Sequence, residues 1–335
     1  METLVVNQME VPRLLPMKEC IEVMARAFAA LGRGEATMPQ RQIVWLPDKS
    51  GALGLMPAHL SGLGAVGVKA VTFFPRNEGT DVDSHQGAVL LFETGRGRLL
   101  AVIDATSVTA IRTAAVSGLA TRLLAKPDAG DLALVGSGVQ ARTHLEAMLL
   151  VRTIRRVRVA SKTPGKAKSF ADREGKRHGI AVTPCATVRE AVEGADIVCA
   201  ATSAREPVVL GEWLSPGAHV NAVGSSVAAA RELDASAVAR SRFFVDRREA
   251  ALNEAGDFLL ARAEGAVGDA HIAGDLGEVL LGAVEGRRDA NEITAFKSVG
   301  LAVEDVAAAQ HIYSKARGAS AGRFLEFGGH RGDAD

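Results

Sequence analysis

The sequence has no excess of charge of either sign. Its 335 residues include 39 lysines and arginines and 39 aspartates and glutamates, so the formal net charge is zero. A surface for nucleic acid or for an anionic membrane usually shows as an excess of basic residues. The composition therefore predicts neither a nucleic acid nor a membrane as a partner.

Cysteines are few, and apolar runs are short. Cys20, Cys185 and Cys199 stand alone, without the spacing of metal ligands or of a disulfide framework. Residues 1–10 lack the basic start and apolar core of a secretory signal, and no uninterrupted apolar run reaches membrane-spanning length. These absences favour a cytoplasmic protein that holds no metal. The length and the 47% hydrophobic residues suggest two domains with large cores.

A dinucleotide-binding pattern lies near the middle of the sequence. The apolar run 131–135 ends in Gly136-Ser137-Gly138, and a helical pattern follows over about 139–151. Gly136 suits a tight turn, and Gly138 lets backbone N–H groups approach a pyrophosphate at the positive end of the helix. An ordinary strand-to-helix turn is the alternative. A second strand at 157–160, one βαβ unit later, favours a Rossmann domain.

The end of that second strand bears on the choice of cofactor. An acidic residue there would bind the ribose hydroxyls of NAD, whereas this chain has Ser161-Lys162-Thr163. Two hydroxyls and an ammonium suit a 2′-phosphate, so we predict NADPH, with NADH as the alternative. An ordinary surface lysine is the other interpretation of Lys162.

Strand and helix patterns continue to alternate after the glycine loop. Strands are predicted at 181–183, 196–201, 219–223 and 242–246, the last being the last clear strand, and a long helix interrupted by Gly300 is predicted over 291–317. In open parallel sheets ligands bind beyond the carboxyl ends of strands. By position, the candidate ligand-binding residues are Thr202, Ser203, Gly224, Ser225 and Ser226.

The first third of the sequence has a different pattern. A helix is predicted at 16–31, and five apolar runs follow without helices between them, which indicates an antiparallel or mixed sheet. The five predicted strands are 42–46, 52–56, 65–74, 88–92 and 99–103.

Three basic residues in this part are candidates for binding an anion. Lys69 has apolar neighbours on both sides, so it either guards an exposed edge or faces an anion in a pocket. Arg41 opens the first strand of the sheet. Arg112 falls in the first turns of a helix that Thr106 or Ser107 can cap, where a cation is unfavourable unless an anion is also present. That anion is either a ligand carboxylate or a protein carboxylate such as Asp104.

Eight short motifs are spread over nearly the whole chain. The motifs are Met38-Pro-Gln-Arg41, Gly54-Leu-Met56-Pro57, Gly67-Val-Lys69, His85-Gln86-Gly87 to Phe92, Asp104-Ala-Thr with Arg112-Thr113-Ala-Ala, Gly136 to His144, Glu212-Trp213 to Gly224, and Phe296-Lys297-Ser298-Val299-Gly300. Together they resemble the ornithine cyclodeaminase/mu-crystallin family. They are specific for the family and less so for the reaction.

The resemblance implies a fold, an assembly and site residues. It implies an α/β chain with a doubly wound Rossmann domain at 121–314 and a smaller α+β domain, at 1–120 plus about 315–335, that binds substrate and forms a homodimer. It also implies that Arg41, Lys69 and Arg112 bind a substrate carboxylate, that Met56 lines the pocket, and that Val299 and Gly300 border the nicotinamide and substrate. The expected cofactor contacts are Thr113, Gly136, Ser137, Gly138, Val139, Gln140, Ser161, Lys162, Thr163, Thr202, Ser203, Val223, Gly224 and Ser225.

Ser226 separates the branches of the family. Ornithine cyclodeaminases resemble this chain but have an aspartate there that serves the substrate amine, whereas ketimine reductases and pyrroline-2-carboxylate reductases have a serine. The resemblance thus implies an NADPH-dependent reductase of a cyclic imino acid, of either ring size, with Lys69, Arg112 and Ser226 as catalytic residues. An ornithine cyclodeaminase, an alanine-type amino-acid dehydrogenase and an NADPH-dependent binding protein without turnover are the alternatives. His85 and Asp104 receive no assigned role.

Overall fold

The computed structural model describes residues 2–77, 79–319 and 321–328. The chain divides into two compact units, with divisions between Arg112 and Thr113 and between Gly300 and Leu301. We call them the mixed-sheet unit, which holds both ends of the chain, and the parallel-sheet unit, which is residues 113–300. The predicted domain boundaries, near residues 120 and 315, lie further along the chain than these two divisions.

The amino-terminal segment runs from the first strand to a long helix. Asp104 caps this helix, since its Oδ1 accepts a hydrogen bond of 2.7 Å from the Ser107 N–H. Thr106 and Ser107, the expected caps, instead donate to backbone carbonyls. The elements are β1 (Glu2–Val6), α1 (Val11–Leu14), α2 (Met17–Gly32), β2 (Ala36–Thr37), β3 (Gln42–Trp45), β4 (Ala52–Leu60), β5 (Ala65–Phe73), β6 (His85–Glu93), β7 (Leu99–Asp104) and α3 (Ala105–Leu124).

The middle of the chain alternates strands with helices. Its strands are short, and most of them are buried, as the apolar runs indicated. The elements are β8 (Asp131–Val135), α4 (Val139–Val151), β9 (Arg156–Ala160), α5 (Pro164–His178), β10 (Val182–Pro184), α6 (Val188–Val192), β11 (Ile197–Ala200), β12 (His219–Ala222), α7 (Ala235–Ala239), β13 (Ser241–Val245), α8 (Arg248–Glu254), α9 (Gly256–Ala263), β14 (Ile272–Asp275), α10 (Leu276–Leu280) and β15 (Ile293–Lys297).

The long helix predicted over 291–317 is wrong in its first part. Residues 293–297 form β15, and Gly300 turns the chain with a φ of +80°, so the last helix, α11, covers only Ala302–Ala319. The final strand, β16 (Arg323–Glu326), follows it. The prediction that 242–246 is the last clear strand is also wrong, because β14 and β15 come after it.

The parallel-sheet unit is built on one eight-stranded sheet. Its order is β10-β9-β8-β11-β12-β15-β13-β14, and every neighbouring pair is parallel. The connections reverse direction between β8 and β11, which is the switch point of a doubly wound sheet. The predicted Rossmann architecture is confirmed.

The mixed-sheet unit is built on a second sheet, with order β16-β1-β7-β6-β5-β4-β2 and with β3 also paired to β4. Only the β1–β7 pair is parallel among the pairs described. The predicted mixed sheet is therefore confirmed. Lys69 lies on β5, between β4 and β6, so the interpretation that it guards an exposed edge is wrong.

Helix α11 packs against the β4, β5 and β6 strands of the mixed sheet. The approach is close at Gly67, where a Cβ atom would come within 3.0 Å of Val306 Cγ2 and 2.8 Å of the Leu90 carbonyl oxygen. Several alanines of α11 are buried, and their small side chains allow this closeness. The first turn of α11 is thereby held over the middle of the sheet. Among the described residues, none of the helices combines the length and hydropathy required of a membrane span.

Candidate functional site

The turn from β8 into α4 has the geometry of a phosphate loop. Gly136 has a φ of +113°, and a Cβ atom there would lie 2.5 Å from the Ala201 carbonyl oxygen, so only glycine fits. Gly138 is the N-cap of α4, and a Cβ atom built on it would meet nothing within 4 Å. The first N–H groups of a thirteen-residue helix therefore open onto free space. This arrangement fits the pyrophosphate of a dinucleotide.

A buried histidine supports this helix from inside. His144 Nδ1 donates to the Gln140 carbonyl oxygen at 2.7 Å, and its Nε2 accepts from the Ser117 hydroxyl at 2.9 Å. Burial lowers the pKa of His144 to about 4, so the ring is neutral. His144 is a structural part of the glycine motif, whereas the expected cofactor residues Val139 and Gln140 lie on the first turn of α4.

The Ser161-Lys162-Thr163 segment follows β9 directly and leads into α5. The Ser137 hydroxyl donates to the Ser161 hydroxyl oxygen at 3.0 Å, so this segment lies beside the phosphate loop. Lys162 is exposed, and Thr163 is the N-cap of α5. Two hydroxyls and one cation are thus placed where the second strand of a Rossmann sheet meets the cofactor ribose.

The segments after β11 and β12 lie against each other. The Ser225 hydroxyl donates to the Ala204 carbonyl oxygen at 3.1 Å, and a Cβ atom on Gly224 would be 2.0 Å from the Thr202 carbonyl oxygen. Val223 is buried and Ser203 is exposed on the same segments. Ser226 is partly buried and makes no side-chain hydrogen bond within the described part of the chain. The structure therefore brings the predicted strand-end candidates together.

The backbone after β15 is held by an aspartate that sequence reasoning missed. Asp246 Oδ2 accepts hydrogen bonds from the Val299 N–H at 2.7 Å and from the Gly300 N–H at 2.8 Å. The backbone N–H groups of Val299 and Gly300, which are expected to border the nicotinamide and substrate, are therefore already bonded to Asp246. Thr113, a further expected cofactor contact, is buried on α3.

Four charged side chains of the mixed-sheet unit form a buried cluster. Lys69 Nζ lies 2.9 Å from Asp305 Oδ2 and 3.5 Å from the Thr109 hydroxyl. Arg112 donates from Nε to Asp305 Oδ1 at 3.1 Å and from Nη1 to Glu304 Oε2 at 2.6 Å. We call Lys69, Arg112, Glu304 and Asp305 the charge cluster. Its side chains are at most 5% exposed, and its formal charge is zero.

The charge cluster corrects the interpretation of Arg112. The expected alternative partner was Asp104, but Asp104 caps α3, and Arg112 pairs with the two acidic residues of α11 instead. Arg112 is also the eighth residue of α3, beyond the first turn in which the helix dipole acts. Burial alone would lower the pKa of Arg112, but Asp305 and Glu304 together raise it.

The pKa of Lys69 is lowered to about 8, because burial and the nearby Arg112 cation outweigh the opposing effects of Asp305 and Glu304. Partial burial and the Lys69 cation also lower the pKa of His85. The His85 ring packs on Phe73, with ring centroids 4.7 Å apart. A lysine that titrates near neutral pH can give up a proton during a reaction.

The strand register places the other predicted substrate residues, Arg41 and Met56, at the same level as Lys69. Met56 on β4 pairs with Lys69 on β5, and it is 6% exposed. Gln42 on β3 pairs with Leu55, so Arg41, one residue earlier, stands at the level of Met56. Arg41, Met56 and Lys69 therefore occupy one row across three strands.

Sequence reasoning missed Glu304 and Asp305, the acidic half of the cluster. Acidic residues in the first turn of a helix are ordinary, because they complement the helix dipole. Their separation from Arg112 by more than 190 residues gave no local signal. The signal that existed was physical: two cations in apolar surroundings require anions.

Comparisons with known proteins agree with this geometry. The family model for the ornithine cyclodeaminase/mu-crystallin family matches residues 1–320. The ketimine reductase mu-crystallin of Mus musculus is 42% identical over 281 residues, which cover 84% of this chain and 85% of that protein. A structure of the Thermococcus litoralis Delta(1)-pyrroline-2-carboxylate reductase in complex with NADH and L-proline is 40% identical, with a TM-score of 0.93, and covers 96% of this chain and 99% of that chain.

An archaeal alanine dehydrogenase dimer with bound NAD is also similar. It is 33% identical, with a TM-score of 0.92, over 98% of this chain and 100% of that chain. These relatives are named reductases and dehydrogenases, and both solved structures contain NADH or NAD. With a fitting phosphate loop of its own, this chain is an oxidoreductase that uses a nicotinamide cofactor. It belongs to the ornithine cyclodeaminase/mu-crystallin family.

Proposed function

We propose that this chain reduces a cyclic imino acid, pyrroline-2-carboxylate or piperideine-2-carboxylate, to L-proline or L-pipecolate with NADPH. The observation that carries the proposal is the charge cluster, in which Asp305 holds Lys69 and Arg112 side by side. The remaining N–H groups of Arg112, including both on Nη2, make no hydrogen bond within the described part of the chain. They are available to a substrate carboxylate, and a relative of this chain is complexed with L-proline.

The two cations of the charge cluster have separate tasks in this reaction. Arg112 binds the substrate carboxylate through a charge-assisted, two-pronged contact, and Arg41 lies in the row that leads to it. Lys69 donates a proton to the ring nitrogen, whose protonation makes the adjacent carbon electrophilic. Met56 supplies an apolar wall beside Lys69. When bound, the nicotinamide would supply the hydride.

The first prediction concerns turnover. We expect the purified protein to consume NADPH with pyrroline-2-carboxylate or piperideine-2-carboxylate, and Lys69→Met to lower kcat/KM by about 10²-fold or more, because it removes a cation and a proton donor. The readout is NADPH absorbance. Lys315→Met, which breaks a half-exposed ion pair with Glu19 in the same unit, is the matched control and should keep full activity.

Other substrates distinguish the remaining candidates. Similarity to the alanine dehydrogenase favours pyruvate with ammonia as the second assay. Ammonia release from L-ornithine with NAD would instead show that Ser226 was given too much weight. Cofactor affinity with no turnover of any of these compounds would identify a binding protein. Equal imine reduction by Lys69→Met and the native chain would refute the roles given to the cluster.

The second prediction concerns pH. A donor must be protonated, so kcat/KM should be level below the Lys69 pKa of about 8 and fall as pH rises through it. Asp305→Asn removes an anion that favours the ammonium form, so its falling limb should move to lower pH. A limb set by the substrate imine alone would stay in the same place in both proteins. Glu35→Gln, at an exposed pair with Arg33, should leave the profile unchanged.

The third prediction concerns NADPH against NADH. The related structures contain NADH or NAD, whereas the β9 end of this chain offers Ser161, Lys162 and Thr163. If Lys162 binds the 2′-phosphate, Lys162→Ala should lower kcat/KM for NADPH by about tenfold and leave NADH nearly unchanged. Lys168→Ala, at an exposed position of α5, is the control. Equal losses with both cofactors would argue against a phosphate contact.

The fourth prediction concerns assembly. We propose that a second copy of the chain covers β3 and neighbouring strands, where several large apolar side chains are exposed and Trp45 is 55% exposed. A monomer rarely leaves so contiguous an apolar face in water, and the similar alanine dehydrogenase is a dimer. The exposed side chains are Ile43, Val44, Trp45, Leu46, Leu53, Val66 and Phe73.

Light scattering coupled to gel filtration tests this assembly. The native chain should elute with twice the mass of one chain, and Val44→Asp with Trp45→Glu should convert it to a monomer, because buried unpaired carboxylates are costly. Leu150→Glu, at an exposed leucine of the parallel-sheet unit, should remain a dimer. A native monomer at micromolar concentration would exclude the proposed interface.

A further inference from the structure

A glutamate outside every predicted motif joins the ends of two strands. Glu232 lies between β12 and α7, and it is fully buried. Its Oε1 accepts from the Thr202 N–H at 2.6 Å and from the Thr202 hydroxyl at 2.7 Å, and its Oε2 accepts from the Gly224 N–H at 2.6 Å. One carboxylate thus binds the segment after β11 with one oxygen and the segment after β12 with the other.

The two segments need such an acceptor. They approach so closely that a Cβ atom on Gly224 would lie 2.0 Å from the Thr202 carbonyl oxygen. The N–H groups of Thr202 and Gly224 lie just beyond the strands β11 and β12, where the ladder ends. A buried N–H without an acceptor is costly, so the carboxylate fixes both backbone positions at once.

A second buried acid holds Glu232 itself in place. Asp257 Oδ1 accepts from the N–H groups of Glu232 and Leu233 at 2.7 and 2.8 Å. Asp257 Oδ2 lies 2.8 Å from Lys297 Nζ, and all three charged side chains are fully buried. Burial raises the pKa of Glu232, and the charge of Lys297 opposes that rise, so this ammonium acts on both buried acids. Lys297 on β15 and Asp257 on α9 therefore hold Glu232 in place, and Glu232 in turn holds the segments after β11 and β12.

The position of these ends connects Glu232 to the cofactor. In a doubly wound sheet, the strands on each side of the switch point bind one half of the dinucleotide. Here β8, β9 and β10 form one side, and β11 and β12 lie on the other. The phosphate loop and Ser161 belong to the first group, so the ends of β11 and β12 belong to the other half, which carries the nicotinamide. Thr202, Ser203, Gly224 and Ser225 are the residues that would border it.

We propose that Glu232 is a positioning residue for the nicotinamide half of the cofactor, acting through Thr202 and Gly224 without contacting the cofactor. The proposal rests on the dinucleotide use that the proposed function requires, but not on the identity of the substrate. The Glu232 carboxylate would contribute to recognition of the dinucleotide, because it fixes the backbone of the two segments that border the nicotinamide.

Glu232→Gln tests this role with the least change in shape. An amide has one acceptor oxygen, so its NH2 group must face a donor of one segment and repel it. We expect the dissociation constant for NADPH and for NADH, measured by the fluorescence change on binding without imine, to rise by about tenfold. The KM for the cofactor should rise in parallel, with kcat at saturating cofactor changed far less.

A purely structural role would give a different result. Glu174→Gln is the matched control, because Glu174 is also a fully buried carboxylate of the parallel-sheet unit, but it pairs with Arg173 on α5. It should lower the melting temperature without changing the cofactor dissociation constant. If Glu232→Gln also lowers only the melting temperature, the positioning role is refuted.

A second variant covers the case in which Glu232→Gln does not fold. Thr202→Val removes the hydroxyl that donates to Glu232 and accepts from the Ala204 N–H, and it keeps the Thr202 N–H on Glu232. It should raise the dissociation constant by a smaller factor, about threefold, and an unchanged value would count against the proposal. If the native chain binds no dinucleotide, the proposed function fails. If the native chain binds and both variants bind equally well, only the role of Glu232 fails.

Discussion

An ionised side chain buried away from water must be stabilised by an opposite charge or by several hydrogen bonds, and this constraint organises both units of the chain. In the mixed-sheet unit, Lys69 and Arg112 require Asp305 and Glu304, which places the first turn of α11 over the middle of the sheet. In the parallel-sheet unit, Lys297 requires Asp257. The first set positions Lys69 and Arg112, and the second positions Glu232 and, through it, Thr202 and Gly224. The acids therefore position functional residues as well as neutralise buried cations.

The contrast between cations and acids shows what a single sequence can reveal. Lys69 and Arg112 were predicted because each is a cation in an unfavourable local setting, an apolar strand or the start of a helix. Glu304 was missed because an acid in the first turn of a helix is locally favourable. Glu232 was missed for a similar reason, since a glutamate in a loop looks solvated. Local sequence shows which charges need partners but not which distant residues supply them.

The fold was predictable where the hydrophobic period was unambiguous. The strand, glycine loop and helix at 131–151 and the amphipathic helix α2 agree with the structure to within a residue or two. The error at 291–317 arose because the short apolar run of β15 and the helix α11 were joined into one helical pattern, since a run of five residues fits either period. The glycine that seemed to interrupt a helix is the turn between the two elements, with a positive φ.

The neutral charge cluster also limits what the chain can bind. Lys69 and Arg112 are already balanced by two carboxylates, so a substrate with a net positive charge would leave an unbalanced cation in buried surroundings. A cyclic imino acid brings only the carboxylate proposed to bind Arg112, and its ring nitrogen takes a proton that Lys69 already carries, whereas ornithine with two ammonium groups brings an additional positive charge. The same electrostatic requirement that holds α11 on the sheet therefore favours a cyclic imino acid over a diamino acid.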